Sequence, residues 1–506
     1  MASTVYSFTI TGVDGHLIEV EADTISGQQV VSIVGLGDTA IKESKERLES
    51  AITYASFHFP EKKMIINLAP SHMKKMGSHF DLAMAIALLM RTNQIEVQLA
   101  SFALIGELSL NAKIRSVTGV LPMAISAKEN GIRHFIVPND NVEEAALVKG
   151  IEVIGCCSLQ EAIDILQRKQ QSPTILTERK TTPKSRNPTD FSDVKGQNIL
   201  IEYLAVAAAG GHNMMMIGPP GCGKSMLAKR VPTILPPMTE QEALEITKIY
   251  SVSKLLKEGG LVTERPFRAP HHNASTNSLI GGGNRSLPGE ISLAHHGVLF
   301  LDEIAEFQKK TLEALRQPME DRQVTISRVQ QTNTYPANFM LIAAMNPCPC
   351  GYFGQEKCRC TDYEVIKYRN KISGPMLDRI DIQKYVQTIN FFENEEHGES
   401  SADIREKVAI ARERQQKRYQ DDGITCNAEL TPALIKKFCQ LDTETETLLK
   451  KAYEHYQYSG RTIHKFIKVA RTFADLNGDT QIQKQHVMAA LHSRDLDRER
   501  KNLLIM

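Results

Sequence analysis

A four-residue apolar run, Met214 to Ile217, leads directly into Gly218-Pro-Pro-Gly-Cys-Gly-Lys224-Ser225 and then into the helix-forming Met226-Leu227-Ala228-Lys229. No other string constrains the fold as strongly, because a buried strand, a glycine-rich loop and a helix in that order require a parallel sheet around them. Gly218, Gly221 and Gly223 let several backbone N–H groups converge on phosphate oxygens without a Cβ in the way, and Pro219, Pro220 and Cys222 complete the loop. The same spacing assigns Lys224 to the β- and γ-phosphates of a nucleotide and Ser225 to its magnesium ion.

Downstream, Gly297-Val-Leu-Phe-Leu-Asp302-Glu303 is a second buried-strand run, and it ends in two carboxylates. At the carboxyl edge of a parallel sheet, Asp302 is suited to the magnesium shell and Glu303 to polarising the water that attacks the γ-phosphate. A third strand, Leu341 to Met345, delivers Asn346 to the same edge, where an amide can bond both γ-phosphate and water, the sensor 1 role. Ser373-Gly-Pro-Met-Leu-Asp-Arg379 presents an arginine after a Gly-Pro turn, suited to reach a neighbouring subunit's γ-phosphate as a finger. Arg461 opens a helix running to Leu476 and is suited to report closure over the phosphates, the sensor 2 role; a surface salt bridge is the competing reading.

At 506 residues the chain is too long for one core. Apolar residues at 42% and charged residues at 24% exclude a disordered or collagen-like class. Stretches such as Leu82 to Met90 fall short of the roughly 20 residues that span a bilayer, and Met1 to Tyr6 lacks the basic and apolar regions of a secretory signal. A cytoplasmic protein with no membrane partner is expected. The pattern is that of an α/β multidomain protein. Residues 1–166 read as mixed α/β, with strands at Ser7 to Ile10, Met64 to Leu68 and Phe135 to Val137 and helices at Thr39 to Tyr54 and Phe80 to Met90. Residues 167–189, with six Lys/Arg and Pro173, Pro183 and Pro188, read as a basic flexible linker, a solvated tether or a DNA-gripping strap. Residues 190–387 form a doubly wound parallel-sheet core. Residues 388–506 form an all-helical lid, with Ile404 and Val408 opening a stripe that runs to Arg418 and further helices near 445–457, 462–476 and 484–492.

Together with Asp190-Phe-Ser-Asp-Val-Lys-Gly-Gln197, Arg265-Pro-Phe-Arg-Ala-Pro-His-His272, Pro288-Gly-Glu-Ile-Ser-Leu-Ala-His295 and Asn346-Pro-Cys-Pro-Cys-Gly351, these motifs resemble the magnesium-chelatase-like AAA+ ATPases of the ComM/YifB family over nearly the whole chain. The resemblance implies a homo-hexameric helicase that encircles double-stranded and branched DNA. It would use ATP and Mg2+ to drive branch migration of recombination intermediates in natural transformation, with recombination proteins as further partners. It also implies two pore-loop insertions, at Gly281-Gly-Gly283 and at a hairpin from Gln323 to Tyr335. Arg285 and Arg328 are the candidates there for phosphate contact, with interfacial or structural roles equally open. The net charge of +1 supplies no global attraction for DNA, so any polyanion surface must be local and repeated around a ring. The alternative is a protein-remodelling ATPase, a chelatase-type partner or an unfoldase.

Residues 1–166 resemble the catalytic domain of Lon protease, an S5 domain 2-like fold, through Ile105-Gly-Glu-Leu-Ser-Leu110 and Asn130 to Pro138. A serine and lysine dyad would be needed for peptidase chemistry. Aligning the resemblance puts His79 where the serine belongs and Met123 where the lysine belongs, so a non-proteolytic domain is expected, with Ser78 the near miss. Cys348, Cys350, Cys358 and Cys360 crowd immediately after Asn346, a soft four-thiolate set suited to tetrahedral zinc. His271 and His272 are adjacent and read as hydrogen-bonding or packing residues rather than metal ligands.

Overall fold

The computed structural model describes residues 2–28, 30–169, 189–256, 260–283, 286–328, 331–386 and 398–497. Most of the expected linker and Arg285 lie outside them. The chain divides into two compact units, residues 1–184 with 243–263, and residues 185–242 with 264–506. Among the described residues no helix is long and apolar enough to cross a membrane.

The first unit is built on a seven-stranded sheet in the order Val31–Val34, Lys63–Ala69, Asp14–Ile25, Ser3–Thr11, Phe102–Leu104, His134–Pro138, Glu152–Cys156. Its middle is an antiparallel meander, with Val5 opposite Val20 and Val20 opposite Leu68; the outer pairs are parallel. Lys63–Ala69 alternates buried and half-buried residues, the period-2 signature of a sheet with unequal faces. Helix Thr39–Tyr54 starts at Asp38, whose carboxylate accepts the Ile41 N–H at 3.0 Å. It buries Ile41, Ser44, Leu48, Ala51 and Ile52 at helical spacing. Helix Asp81–Arg91 is buried from Asp81 to Leu89 and so forms the centre of this unit's core. Asp81 is sustained there by Arg47 at 2.8 Å and by Ser44. Segment 243–263 packs in this unit through helix residues such as Ser251, whose hydroxyl donates to Glu144.

His79 is buried beside Phe80, its Nε2 2.8 Å from the Phe8 carbonyl, and burial pushes its pKa down to about 4. Above the ordinary imidazole range both folded and unfolded chains hold His79 neutral. As pH falls from about 6.5 to about 4, the unfolded chain takes up a proton that the folded unit refuses, so stability drains by about 3 kcal/mol across that window. His79→Gln, which keeps a donor for Phe8, should remove this part of the acid sensitivity. Denaturant titrations at pH 7, 6, 5 and 4 check it; equal slopes with pH for parent and variant would contradict it.

The second unit holds a five-stranded, wholly parallel sheet in the order Phe267–Arg268, Val298–Leu301, Met340–Met345, Met214–Ile217, Ile382–Tyr385. The three central strands are buried along their whole length, which is why they read as continuous apolar runs rather than alternating ones. The region after residue 398 is helical, with helices Ser401–Arg418, Pro432–Phe438, Thr443–Tyr456, Gly460–Asn477 and Lys484–Leu491. Ile404, Val408 and Ala411 of the first and Phe466, Val469, Ala470 and Phe473 of the fourth join the core of the parallel sheet. The helical region is fastened internally by buried Asp475. It accepts from Arg471 at 2.9 Å, Arg418 at 3.0 Å and Asn427 at 2.9 Å. Removing one partner of such a cluster leaves an uncompensated buried charge, at a cost of about 3–5 kcal/mol.

Candidate functional site

The pairings Ile217 opposite Met345 and Leu301 opposite Ala343 bring the carboxyl ends of three strands to one sheet edge. Gly218, Asp302 and Asn346 each follow directly from those ends, the position where open parallel sheets bind ligands. Gly221 and Gly223 take left-handed φ values of +80° and +90°, and Gly223 caps helix Lys224–Ile234, so the loop presents its N–H groups at a helix N-terminus. A side chain at Gly218 would meet Cys222 Sγ at 2.9 Å and Val386 at 3.0 Å.

Lys224 is buried, and its ammonium donates to the carbonyls of Gly218 at 2.7 Å and Pro219 at 2.9 Å and to Asn346 Oδ1 at 3.2 Å. Ser225 Oγ donates to Asp302 Oδ2 at 2.7 Å, and the Glu303 N–H donates to Asp302 Oδ1 at 3.0 Å. The lysine, hydroxyl, two carboxylates and amide named from sequence are thus gathered in one place. This donor set fits a nucleotide triphosphate with a hard divalent cation, since Ser225 and Asp302 offer adjacent oxygens and Lys224 the compensating charge. Glu303 sits at a φ of +50°, unusual for a side chain-bearing residue, and half of its side chain is exposed.

Glu303 also has a partner that motif reading missed. His272 Nδ1 lies 3.4 Å from Glu303 Oε2, with the His271 ring 4.1 Å from that of His272. The signal available was topological: His272 follows strand Phe267–Arg268, which pairs with Val298–Leu301. Arg268 from the same strand makes a two-pronged ion pair with Glu290, at 2.6 and 2.8 Å. The string beginning at Asp190 serves as a fastening. Asp190 and Asp193 cap one another's turn, Arg230 of the helix after the glycine loop donates to the Asp190 carbonyl at 2.7 Å, and Phe191 N–H donates to Ser401 Oγ at 2.9 Å.

Arg379 and Arg461 are not drawn into this cluster. Arg379 follows the short helix Gly374–Leu377 and turns back on its own chain, donating to the Pro375 carbonyl at 2.7 Å, to the Arg316 carbonyl at 3.2 Å and to Glu320. Arg461 stands exposed in the first turn of helix Gly460–Asn477. Of the two expected insertions, the first contains the short antiparallel pair Gly281–Gly282 and Leu287–Pro288. The second is a hairpin of Gln323–Arg328 with Gln331–Pro336, and Arg328 ends its first strand. Arg322 at the hairpin's base pairs with Glu429 of the helical region.

In the first unit Ser78 donates to the Glu107 carboxylate, His79 is spent on Phe8 and Met123 is buried inside helix Val120–Glu129. Lys75 is buried with its ammonium on the Pro70 carbonyl. The Cys348, Cys350, Cys358 and Cys360 sulfurs lie within 4.8 Å of one another, and all are free thiols.

Comparison with known proteins agrees with this geometry. The family model described as "Magnesium chelatase, subunit ChlI" matches residues 190–394, that described as "Subunit ChlI of Mg-chelatase" matches 20–141, and that for the ChlI C-terminal region matches 398–494. The chain is 40% identical to the uncharacterized protein YifB of Escherichia coli, covering 98% of this chain and 97% of that one. It is 38% identical to the competence protein ComM of Haemophilus influenzae, with the same coverage. A partial likeness, 25% identity over 191 residues and 23% of the relative, links it to the Lon protease of Trichlorobacter lovleyi. A parallel-sheet core with a phosphate loop at its carboxyl edge, a helical C-terminal region and near-full-length identity to these relatives make the chain a member of the ComM/YifB family of magnesium-chelatase-like AAA+ ATPases.

Proposed function

We propose that this chain is one subunit of a homo-hexameric, cytoplasmic DNA motor that hydrolyses ATP to promote branch migration of recombination intermediates in natural transformation and homologous recombination. The observation that carries the reading is the gathered set of Lys224, Ser225, Asp302, Glu303 and Asn346 at one sheet edge, in a chain aligned almost end to end with a competence protein. In this reading Lys224 holds the β- and γ-phosphates, Ser225 and Asp302 hold magnesium, Glu303 polarises water and Asn346 senses the γ-phosphate. Arg379 leaves Glu320 to reach the site of the neighbouring copy, and Arg461 reports lid closure. The hairpin carrying Arg328, and the insertion carrying Arg285, face DNA phosphates. The four cysteines hold a structural zinc, and the first unit serves assembly or DNA binding without peptidase activity, since Ser78 is bound to a carboxylate rather than activated by an amine.

A protein-remodelling motor is the second reading, favoured by the partial likeness to Lon. ATP turnover separates the two. With four-way DNA junctions added, turnover should rise severalfold and the stimulation should collapse between about 50 and 200 mM salt, as phosphate contacts require, while an unfolded protein should leave it unchanged. Lys224→Ala should be inactive throughout. Stimulation by unfolded protein and not by junctions would reverse the choice.

A further inference from the structure

The loop between Asn346 and Thr361 contains no strand or helix; turns hold it, Gly351 N–H to the Cys348 carbonyl at 3.0 Å, Gln355 to Tyr352 at 3.0 Å and Cys358 to Gln355 at 2.9 Å. A fifteen-residue segment of that kind in a compact core needs something besides packing to keep one shape. Cys348 is its one fully buried thiol, and the sulfur separations are 3.3 Å for Cys348 and Cys350, 3.9 Å for Cys348 and Cys358, and 3.7 Å for Cys350 and Cys358. Disulfides would need about 2.05 Å. Four thiolates about 2.3 Å from a tetrahedral zinc stand about 3.8 Å apart; the Cys348–Cys358 and Cys350–Cys358 separations match that spacing, the Cys348–Cys350 separation is shorter, and Cys360 lies within 4.8 Å of the other three.

The loop touches the nucleotide site on either side of Cys348 and Cys350, at Asn346 and at Gly351. Its first residue, Asn346, accepts from Lys224. Gly351, at a φ of +87°, lies so close to the glycine loop that a Cβ there would come within 2.7 Å of Pro220 Cδ. On the far side, Arg369 donates to the Pro347 carbonyl at 3.1 Å and stacks over Phe353.

Resting on the zinc reading above, we infer that the metal held by Cys348, Cys350, Cys358 and Cys360 is a brace for ATP binding: it fixes Gly351 against Pro220 and Asn346 against Lys224, so nucleotide affinity depends on zinc occupancy. The metal takes no part in the chemistry. It holds two walls of the phosphate pocket in register, so a displacement of either disturbs the contacts that position the phosphates. Zinc binding then acts on a distant ligand by ordering the segment between them.

The test uses the full-length protein purified in reducing buffer and measures zinc by elemental analysis beside the Kd of a fluorescent ATP analogue. The parent should hold about one zinc per chain. Cys358→Ser/Cys360→Ser should lose the metal and bind nucleotide at least tenfold more weakly, whereas the single variant Cys360→His, which keeps four zinc-competent ligands, should keep both. Gly351→Ala should keep its zinc and still weaken nucleotide, because the new methyl displaces Pro220; it decides the matter if the double variant fails to fold. A parent without zinc would overturn the metal site itself. A metal-free double variant, or a Gly351→Ala protein, that binds nucleotide like the parent would overturn the brace and leave the zinc site standing.

Discussion

Glu303→Gln should keep ATP bound and lower turnover by about 100- to 10,000-fold, the range lost when a positioned general base is neutralised. The groups proposed to hold the phosphates and magnesium, Lys224, Ser225 and Asp302, are bonded among themselves and to Asn346 and the loop carbonyls, not to the Glu303 side chain. Glutamine preserves the size of the side chain and an oxygen for His272, 3.4 Å away in the parent. Binding and chemistry therefore separate at this one residue. Equilibrium binding of ATP together with steady-state turnover checks it, and a variant that turned over ATP at the parent's rate would remove Glu303 from the reaction.

A larger loss is expected at Arg379. An arginine supplied to a neighbour's γ-phosphate contributes about 1,000- to 100,000-fold to turnover, so Arg379→Ala should be nearly inert, and Arg379→Lys should recover little because a point charge lacks the guanidinium fork. Within one chain Arg379 is held by Glu320, itself largely exposed, and by two carbonyls. Arg379 is itself only 14% exposed, but the charge its removal leaves behind, Glu320, is 57% exposed and takes up water, so the loss stays at about 1 kcal/mol. The variant should thus melt close to the parent while losing activity. A collapse of stability with activity would mark Arg379 as a structural residue.

Much of the fold, and the gathering of residues at the sheet edge, is legible in the sequence. The helix expected over Thr39 to Tyr54 forms with those bounds, because amphipathic period and capping are local properties; the structure adds its cap, Asp38, and its buried stripe of Ile41, Leu48 and Ile52. The runs Met214 to Ile217, Val298 to Leu301 and Leu341 to Met345 betray buried parallel strands, since a strand covered on both faces has no polar alternation to blur it. Once they are parallel neighbours, Gly218, Asp302 and Asn346 must share an edge. Pairings across long chain separations left no such trace. His272 meets Glu303 only because their strands are adjacent, Asp475 draws in Arg418 from 57 residues away, and segment 243–263 packs with the first unit. Nor does spacing reveal that Arg379 folds back onto Glu320, because that depends on which of several carboxylates the chain brings nearest.

The central claim, that one catalytic site is shared between two copies, is tested most directly by mixing Lys224→Ala with Arg379→Ala and measuring ATP turnover. Each variant alone should be silent. In rings assembled at random from equal amounts, a seam that pairs an intact Lys224 with a neighbour's intact Arg379 arises about a quarter of the time, so turnover should return to about a quarter of the parent's if seams act independently. A mixture no more active than its two components, or an Arg379→Ala protein that needs no partner to hydrolyse ATP, would contradict the account.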